Sequence, residues 1–337
     1  MTLRRLLSTT ALIVLALPAF AGEGRFDRDG TYVTANFRVQ APNKELAEKF
    51  GDFAEHYRKE KAVEWLGREM PTWPERCPLK VEINLKQSGG ATTFTFSPSQ
   101  RGVQEQEMKI WGETKQLLYS VLPHEVTHTV LAHHFGQAVP RWADEGGSVL
   151  SENEEEWFSH DIRCREILNA GRGISMRVLF TLKEYPRDMI VVYAQGYSMC
   201  DFLINHHKGG RANFLRFVGL GMKNNNRNWE AAVKEVYGYE SVDELQETWI
   251  ENLRKPPLRV AARTKNNDAA LTSTPRTKDV RTSGVAGVPL LEAPASVARG
   301  QAPDEASPKR GEGKAVAKPD DRPPPISMLL PPEPPKR

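Results

Sequence analysis

The chain has 337 residues, of which 26% are charged and 39% hydrophobic, and its formal net charge is +3. The charge is unevenly distributed, since residues 1–21 carry +2, residues 22–254 carry −5 and residues 255–337 carry +6. The central region is therefore mildly acidic, which argues against a nucleic-acid-binding domain. Its length suits one sizeable core or two lobes that share a cleft.

Residues 1–21 predict a secretory signal peptide. Arg4 and Arg5 form a positive start, Leu6–Leu17 is mostly apolar, and Pro18–Ala21 ends in a small-x-small cleavage pattern. No Cys follows that pattern, which argues against a lipid anchor, and no later segment reaches the about 20 apolar residues that span a bilayer. We therefore expect an exported protein, periplasmic or extracellular, without an integral membrane segment.

The first part of the central region predicts a small sheet with one helix. Thr31–Val39 has the Tyr, Val and Thr content of a strand, and Asn43 is a suitable cap for a helix that follows. Apolar residues at helical spacings support this helix: Leu46, Phe50, Phe53 and Tyr57. Three further short strands are predicted, the second after a turn at Gly89 and Gly90: Val81–Leu85, Thr93–Phe96 and Met108–Trp111.

From Glu145 to Leu253 the apolar residues recur at helical spacings, so this part is expected to be helical. The sequence thus predicts an α+β fold over residues 22–254, with a small N-terminal sheet-plus-helix lobe, a metal-binding helix and a helical C-terminal lobe. Residues 255–337 hold 15 of the 24 prolines and no aromatic residue, which predicts a disordered, Pro-rich, basic tail. A plain solvated linker and weak contact with an anionic envelope polymer are both open for this tail.

Three cysteines, Cys77, Cys164 and Cys200, are an odd number. In an oxidising compartment one pair could form a disulfide while the third thiol stays buried. The sequence does not determine the pairing.

The segment His124-Glu125-Val126-Thr127-His128 carries the clearest chemical signal. Histidines four residues apart on a helix are rotated by only about 40° and separated by a rise of about 6 Å, so both imidazoles can face one metal ion. Glu125 lies beside the first histidine, where it can take a proton from water activated by that metal. The alternative is a solvated helix with two unrelated histidines.

His134 is one candidate for the third ligand. It stands ten residues after His124, a spacing that metalloproteases use when a glycine breaks the helix between them. Leu131 occupies that glycine position, and on an unbroken helix His134 faces away from the metal. His133 has the same difficulty, so both are expected to be surface residues near the end of the helix.

Glu145 is the preferred third ligand. Gly136 can end the metal-binding helix and Pro140 can start the next one, which returns its first turns toward the site. A carboxylate would complete a His2Glu set, and Gly146 and Gly147 would let helices approach closely. The alternative is that Glu145 is an exposed acid favoured by the helix dipole.

His124, Glu125, His128 and the segment Pro140-x-Trp142-x-x-Glu145-Gly146 resemble the gluzincin clan of zinc metallopeptidases, the peptidase MA-like group. They are most similar to its exported bacterial families, several of which have no assigned substrate. The resemblance implies a zincin-like fold, Zn²⁺ bound by His124, His128 and Glu145, and Glu125 as general base. The interval from His128 to Glu145 is slightly shorter than in the commonest members.

The resemblance extends to Tyr193-Ala194-Gln195-Gly196-Tyr197, which is similar to a Tyr-x-x-Gly helix start in the aminopeptidase branch. It implies that Tyr193 stabilises the oxyanion, with Tyr197 as second choice; a purely structural Tyr193 is the alternative. The Gly-x-Met-Glu-Asn segment that grips a free amine in that branch is absent from the sequence, so aminopeptidase activity is not implied.

The expected function is a zinc-dependent peptidase that acts on a peptide or protein substrate. Two alternatives stay open: a non-catalytic, metallopeptidase-like binding module of the cell envelope, and hydrolysis of a non-peptide amide by the same residues. Asp144 and Glu152 are candidate hydrogen-bond partners of the ligating histidines, and otherwise surface acids.

Overall fold

The computed structural model describes residues 24–97 and 102–255. The predicted signal peptide lies outside these residues, and so does the predicted tail beyond Lys255. Within the described ranges, no helix combines the length and the apolar character needed to cross a membrane.

Six strands form one mixed sheet, in the order β1-β2-β3-β4-β6-β5. Strands β3, β4 and β6 run parallel to one another, while the remaining pairs are antiparallel. Among the strands of the described residues, β5 pairs only with β6 and therefore lies at one edge of this sheet. The strands are β1 (Arg25–Phe26), β2 (Tyr32–Val33), β3 (Phe37–Gln40), β4 (Cys77–Ile83), β5 (Gly89–Phe96) and β6 (Val103–Gly112).

Two predictions about the sheet are wrong in detail. The single strand predicted over Thr31–Val39 is instead a tight hairpin formed by β2 and β3. The turn between them contains Asn36, whose side chain donates a hydrogen bond to Glu55 at 2.8 Å. Gly89 and Gly90 do not form a turn but lie inside β5, paired with β6. Gly90 is needed for close approach, since a methyl group there would overlap the Glu125 side chain.

The first helix has a capped start and a glycine at its end. The Asn43 side chain accepts a hydrogen bond from the Leu46 amide at 2.9 Å, as predicted, and Gly67 ends the first helix with φ 69°. A π-helical turn, Leu117–Val121, joins the second helix to the third. The helices are α1 (Lys44–Leu66), α2 (Thr114–Gln116), α3 (Leu122–Phe135), α4 (Arg141–Val149), α5 (Glu154–Asn169), α6 (Met176–Thr181), α7 (Ile190–Asn205), α8 (Gly210–Gly221), α9 (Lys223–Asn226), α10 (Trp229–Tyr237) and α11 (Val242–Leu253).

Helix α3 joins two hydrophobic cores. Val126 belongs to the core beneath the sheet, whereas Val130 and Leu131 belong to the larger core among the helices. Every residue from 122 to 132 is buried, as expected for a helix covered on all sides. The α+β class predicted from the sequence is confirmed, and α3 carries its side chains to the boundary between the cores.

Cys77, Cys164 and Cys200 are free thiols and all are buried. The disulfide that an oxidising compartment would allow is therefore not formed. Burial raises the pKa of each thiol, so the protonated, unreactive form is favoured.

Candidate metal centre

The two predicted histidine ligands lie one turn apart on α3, with ring centroids 4.8 Å apart. His124 is fully buried and His128 is 7% exposed. Their Nε2 atoms converge on Glu145 Oε2, at 3.5 Å from His124 and 3.6 Å from His128. The structure thus brings together the three side chains that the sequence analysis selected as ligands.

The local chain path explains how Glu145 reaches the histidines. Gly136 ends α3 in the left-handed region, with φ 63°, and Pro140 precedes the first residue of α4. The short connection returns the chain along α3, so the second turn of α4 faces His124 and His128. Both breaks are where the sequence predicted them.

The opposite nitrogen of each imidazole contacts a carboxylate. His124 Nδ1 lies 2.6 Å from Glu152 Oε1, and His128 Nδ1 lies 2.8 Å from Asp144 Oδ1. Because a carboxylate only accepts, each ring in its neutral form would carry the proton on Nδ1 and direct the Nε2 lone pair toward Glu145. Glu152 and Asp144 are therefore confirmed as the hydrogen-bond partners of these histidines, an arrangement that is common around metal ligands.

Glu145 is buried, and its two carboxylate oxygens differ in their hydrogen bonding. Oε1 accepts a hydrogen bond from the Tyr185 hydroxyl, while Oε2 makes no hydrogen bond to any residue in the described part of the chain. Although burial alone would raise the Glu145 pKa, the neighbouring His128 and His124 hold it below its ordinary value. Although burial lowers the His128 pKa, Asp144 and Glu145 raise it to about 9. The carboxylates around the two histidines therefore favour a positive charge at the centre.

The geometry fits a tetrahedral metal ion. Ligand bonds of about 2.0–2.1 Å in a tetrahedron place the ligand atoms about 3.3–3.4 Å apart. The separations of Glu145 Oε2 from the two Nε2 atoms are close to this value. A buried carboxylate oxygen without a hydrogen bond, facing the Nε2 atoms of two imidazoles, is what such an ion would satisfy.

Glu125 is the competing carboxylate, because ligand atoms of His124, Glu125 and His128 lie within 4.8 Å of one another. Its position is fixed from the sheet, where Thr92 Oγ1 donates to Glu125 Oε2 at 2.7 Å and Gly90 leaves room for the side chain. Glu125 is thus held at the wall of a cleft, beside the centre. Glu145 remains the better third ligand because one of its oxygens faces both histidines.

A second group with ligand atoms within 4.8 Å comprises Glu152, Glu156 and His160. Both Glu152 oxygens already have partners, since Oε1 contacts His124 and Oε2 accepts from Ser120 Oγ at 3.1 Å. We therefore assign Glu152 to positioning of His124 rather than to a second ion.

The centre opens into a cleft of about 560 Å³. Five consecutive residues of β5, from 90 to 94, line it together with the start of α4 and the loop before α7. Glu125, His128 and Glu145 lie on its wall, so a molecule in the cleft would reach the centre and the carboxylate of Glu125.

Tyr193, the predicted oxyanion donor, also lines the cleft and is 5% exposed. Its ring stacks parallel to Tyr185, with centroids 6.4 Å apart. Tyr197, the second choice, packs near His160 and is not among the described residues that line the cleft. The geometry therefore favours Tyr193 over Tyr197.

Close contact between α4 and α7 brings Glu145 and Tyr193 to the same cleft. A methyl group on Gly146 would overlap the backbone of Gly196, and one on Gly196 would overlap the Trp142 carbonyl. The prediction that Gly146 allows close helix approach is confirmed.

His133 and His134 do not reach the centre, as predicted from the unbroken helix at Leu131. The expectation that His133 is a surface residue is wrong: it is half-buried, it stacks on Trp73 with centroids 5.0 Å apart, and its Nε2 lies 3.1 Å from Gln106 Oε1. His134 is exposed near the end of α3.

Three contributors were missed by the sequence analysis: Gly90, Thr92 and Tyr185. Gly90 and Thr92 lie on the same face of β5, which the alternation of side chains along a strand could have shown. Their partner Glu125, however, lies more than 30 residues away in the sequence. Tyr185 lies in the loop after α6 and reaches Glu145 across 40 residues, without any motif. Such contacts follow from tertiary packing alone.

No protein-family model and no curated protein matches this chain. The geometry of the centre and its cleft is the basis for a functional assignment.

Proposed function

We propose that this protein is an exported, zinc-dependent peptidase of the gluzincin type, with a zincin-like fold. The observation that carries the proposal is the convergence of His124 Nε2, His128 Nε2 and Glu145 Oε2 on one point, next to the carboxylate of Glu125. Two imidazoles and one carboxylate form a set that catalytic zinc sites use, with a fourth position left for water or substrate.

Within this proposal each residue has a separate task. His124, His128 and Glu145 would hold zinc, which when bound supplies a Lewis acid that acidifies water and polarises a carbonyl. Glu125 accepts the proton of the attacking water and delivers it to the leaving nitrogen. Thr92 keeps the Glu125 carboxylate at the cleft wall, and Tyr193 donates a hydrogen bond to the oxyanion.

The edge strand supports a peptide as the substrate. One side of β5 is paired with β6, and consecutive residues of β5 line the cleft, so its other backbone edge borders the open space. An extended peptide can pair with such an edge by main-chain hydrogen bonds. This feature favours peptide hydrolysis over hydrolysis of a small, non-peptide amide.

The proposal is tested with a library of internally quenched peptides. Hydrolysis by the purified protein should stop on chelation, return on addition of zinc, and be reduced by at least about 10³-fold in Glu125→Gln. Glu125→Gln keeps the volume of the side chain, so its zinc content should equal that of the wild type. Zinc binding without hydrolysis of any peptide would contradict the proposal and favour the binding-module alternative.

A further inference from the structure

A second cavity, which we name the basic groove, adjoins the cleft. It has a volume of about 980 Å³ and lies between the end of α1, the end of α3 and helix α8. Gln137 and Met222 line both cavities, so the two spaces meet at these residues. A chain held in the cleft can therefore continue into the basic groove.

The charged residues along the two cavities are unevenly divided. The carboxylates all have partners: Glu125, Asp144 and Glu145 belong to the metal centre, and Glu64 pairs with Lys61 and Arg211. The cations outnumber them along the rest of the path: Arg68, Arg141, Lys183, Arg211, Arg216 and Lys223. This concentration is unusual for a region whose net charge is −5.

Three of these cations lack a counter-charge. Arg68, Lys183 and Lys223 are exposed and make no ion pair with another residue of the ranges 24–97 and 102–255. Arg68 and Lys223 lie in the basic groove, and Lys183 lies in the cleft. Their positive electrostatic potential therefore acts on any molecule that occupies these cavities, because no carboxylate of the described residues pairs with them.

The groove also has an apolar floor and a fixed wall. Trp65, Phe135 and Leu215 contribute to the floor. Between groove and cleft, Asn224–Asn226 all have positive φ, from 55° to 63°, a conformation that asparagine tolerates better than most residues. Asn226 Nδ2 anchors this turn on the Phe180 carbonyl at 3.0 Å. An apolar floor beneath unpaired cations suits a polypeptide with acidic side chains.

We propose that the substrate is a peptide with an acidic segment, which runs from the cleft past Gln137 and Met222 into the basic groove and contacts Arg68 and Lys223. This inference rests on the proposed peptidase function and names the substrate class of the same site. The acidic residues lie beyond those next to the scissile bond, on the side of the substrate that enters the groove.

Binding is measured apart from hydrolysis, on the full chain carrying Glu125→Gln. The probes are a fluorescein-labelled, glutamate-rich peptide and the same peptide with glutamine in place of glutamate, followed by fluorescence anisotropy. The test variant adds Arg68→Gln and Lys223→Gln. The matched control adds Arg28→Gln and Lys49→Gln, which remove the same charge near the opposite edge of the sheet. Residues 255–337, with their net charge of +6, are present in every variant, so their contribution to peptide binding is the same in each.

We expect the acidic peptide to bind more tightly than the neutral peptide, and its affinity to fall about 3- to 10-fold in the test variant but not in the control. The salt dependence of binding should weaken in parallel. Equal affinities of test and control variants would overturn the inference. Equal displacement by inorganic polyphosphate, at the same concentration of negative charge, would assign the groove to polyanions in general and also overturn it.

The two proposals fail in different ways. Binding in the Glu125→Gln background does not require turnover, so a wild type that hydrolyses no peptide refutes the peptidase proposal, while the affinity of the basic groove for the acidic peptide is still measured independently. A wild type that hydrolyses neutral and acidic peptides with equal kcat/KM refutes only the groove assignment.

Discussion

Gly90 on the edge strand lies so close to Glu125 on α3 that a methyl group at position 90 would overlap the Glu125 carboxylate. The same carboxylate accepts a hydrogen bond from Thr92, two residues further along the strand. The sheet thus determines where the proposed general base stands, while the histidines beside it are oriented by Asp144 on α4 and by Glu152 in the connection between α4 and α5.

Gly90→Ala should displace Glu125 without removing the metal ligands. We expect kcat/KM for a peptide to fall at least about 10-fold, because a general base must stay within hydrogen-bond reach of the water. Zinc content should be unchanged. Thr95→Ser, a similarly small change at an exposed β5 residue that does not line the cleft, is the control and should retain activity. Loss of zinc in Gly90→Ala would show that the strand supports the ligands instead.

Tyr185→Phe should weaken zinc binding rather than hydrolysis itself. The hydroxyl donates to Glu145 Oε1 and leaves Oε2 directed at the histidines, so its removal frees the ligand to rotate. Loss of such a partner costs about 10- to 100-fold in metal affinity. Competition with a chromogenic chelator measures the affinity, and saturating zinc should restore most of the activity. An unchanged affinity would contradict this role for Tyr185.

Tyr193→Phe should reduce the rate of hydrolysis rather than the affinity for zinc. The expected loss is about 10²–10³ in kcat, with KM and zinc affinity little changed, since an oxyanion donor acts only in the transition state. The structure gives a matched comparison, because Tyr185 and Tyr193 stack on each other in the same cleft. A kcat within a factor of two of the wild type would leave Tyr193 with a structural role.

Gly146→Ala should destabilise the protein, because the added methyl group would overlap the Gly196 backbone where α4 meets α7. Overpacking of this kind costs about 1–3 kcal/mol in the free energy of unfolding. Gly219→Ala is the control, since its methyl group would make only an ordinary contact with Phe135 at 3.6 Å, inside a helix that alanine favours. Chemical denaturation measures the free energy of unfolding of both variants. Equal stabilities of Gly146→Ala and Gly219→Ala would contradict the packing argument.

His133 should make the stability of the protein fall with acidification. Its burial, together with the charge of Arg58, lowers its pKa from 6.5 to about 4. Below about pH 6.5 the unfolded chain gains a proton at this histidine and the folded chain does not, so stability is lost as the pH falls from 6.5 to 4. The wild type should lose about 1–3 kcal/mol more than His133→Gln over this range.

Urea unfolding of the metal-free protein at several pH values measures this difference. His56→Gln, at a half-buried histidine on α1, serves as the control variant. A wild type and a His133→Gln variant with parallel pH profiles would show that His133 takes up its proton equally in both states.

The parts of the centre that were predictable are those encoded by local spacing. Two histidines four residues apart, a glycine that can end a helix and a proline that can start the next one were enough to select Glu145. The contributions of Thr92 and Tyr185 were not predictable, since each reaches its carboxylate from a distant element and neither belongs to a periodic pattern.

The fold shows the same division. The cap at Asn43 and the helix that follows were read correctly from side-chain chemistry and apolar period. The hairpin between β2 and β3 was not, because Thr34 and Asn36 leave the strand only to meet Glu55 on α1. Gly90 was wrongly predicted to lie in a turn, because the close approach of Glu125 that requires a glycine there is a tertiary contact with a distant helix.

The most direct test of the account is the zinc content of the dialysed protein, measured by elemental analysis for the wild type, Glu145→Gln and Glu125→Gln. We predict about one zinc ion per chain in the wild type and in Glu125→Gln, and a loss or strong weakening of binding in Glu145→Gln. Zinc retained at full occupancy in Glu145→Gln, or absent from the wild type, would contradict the proposed centre.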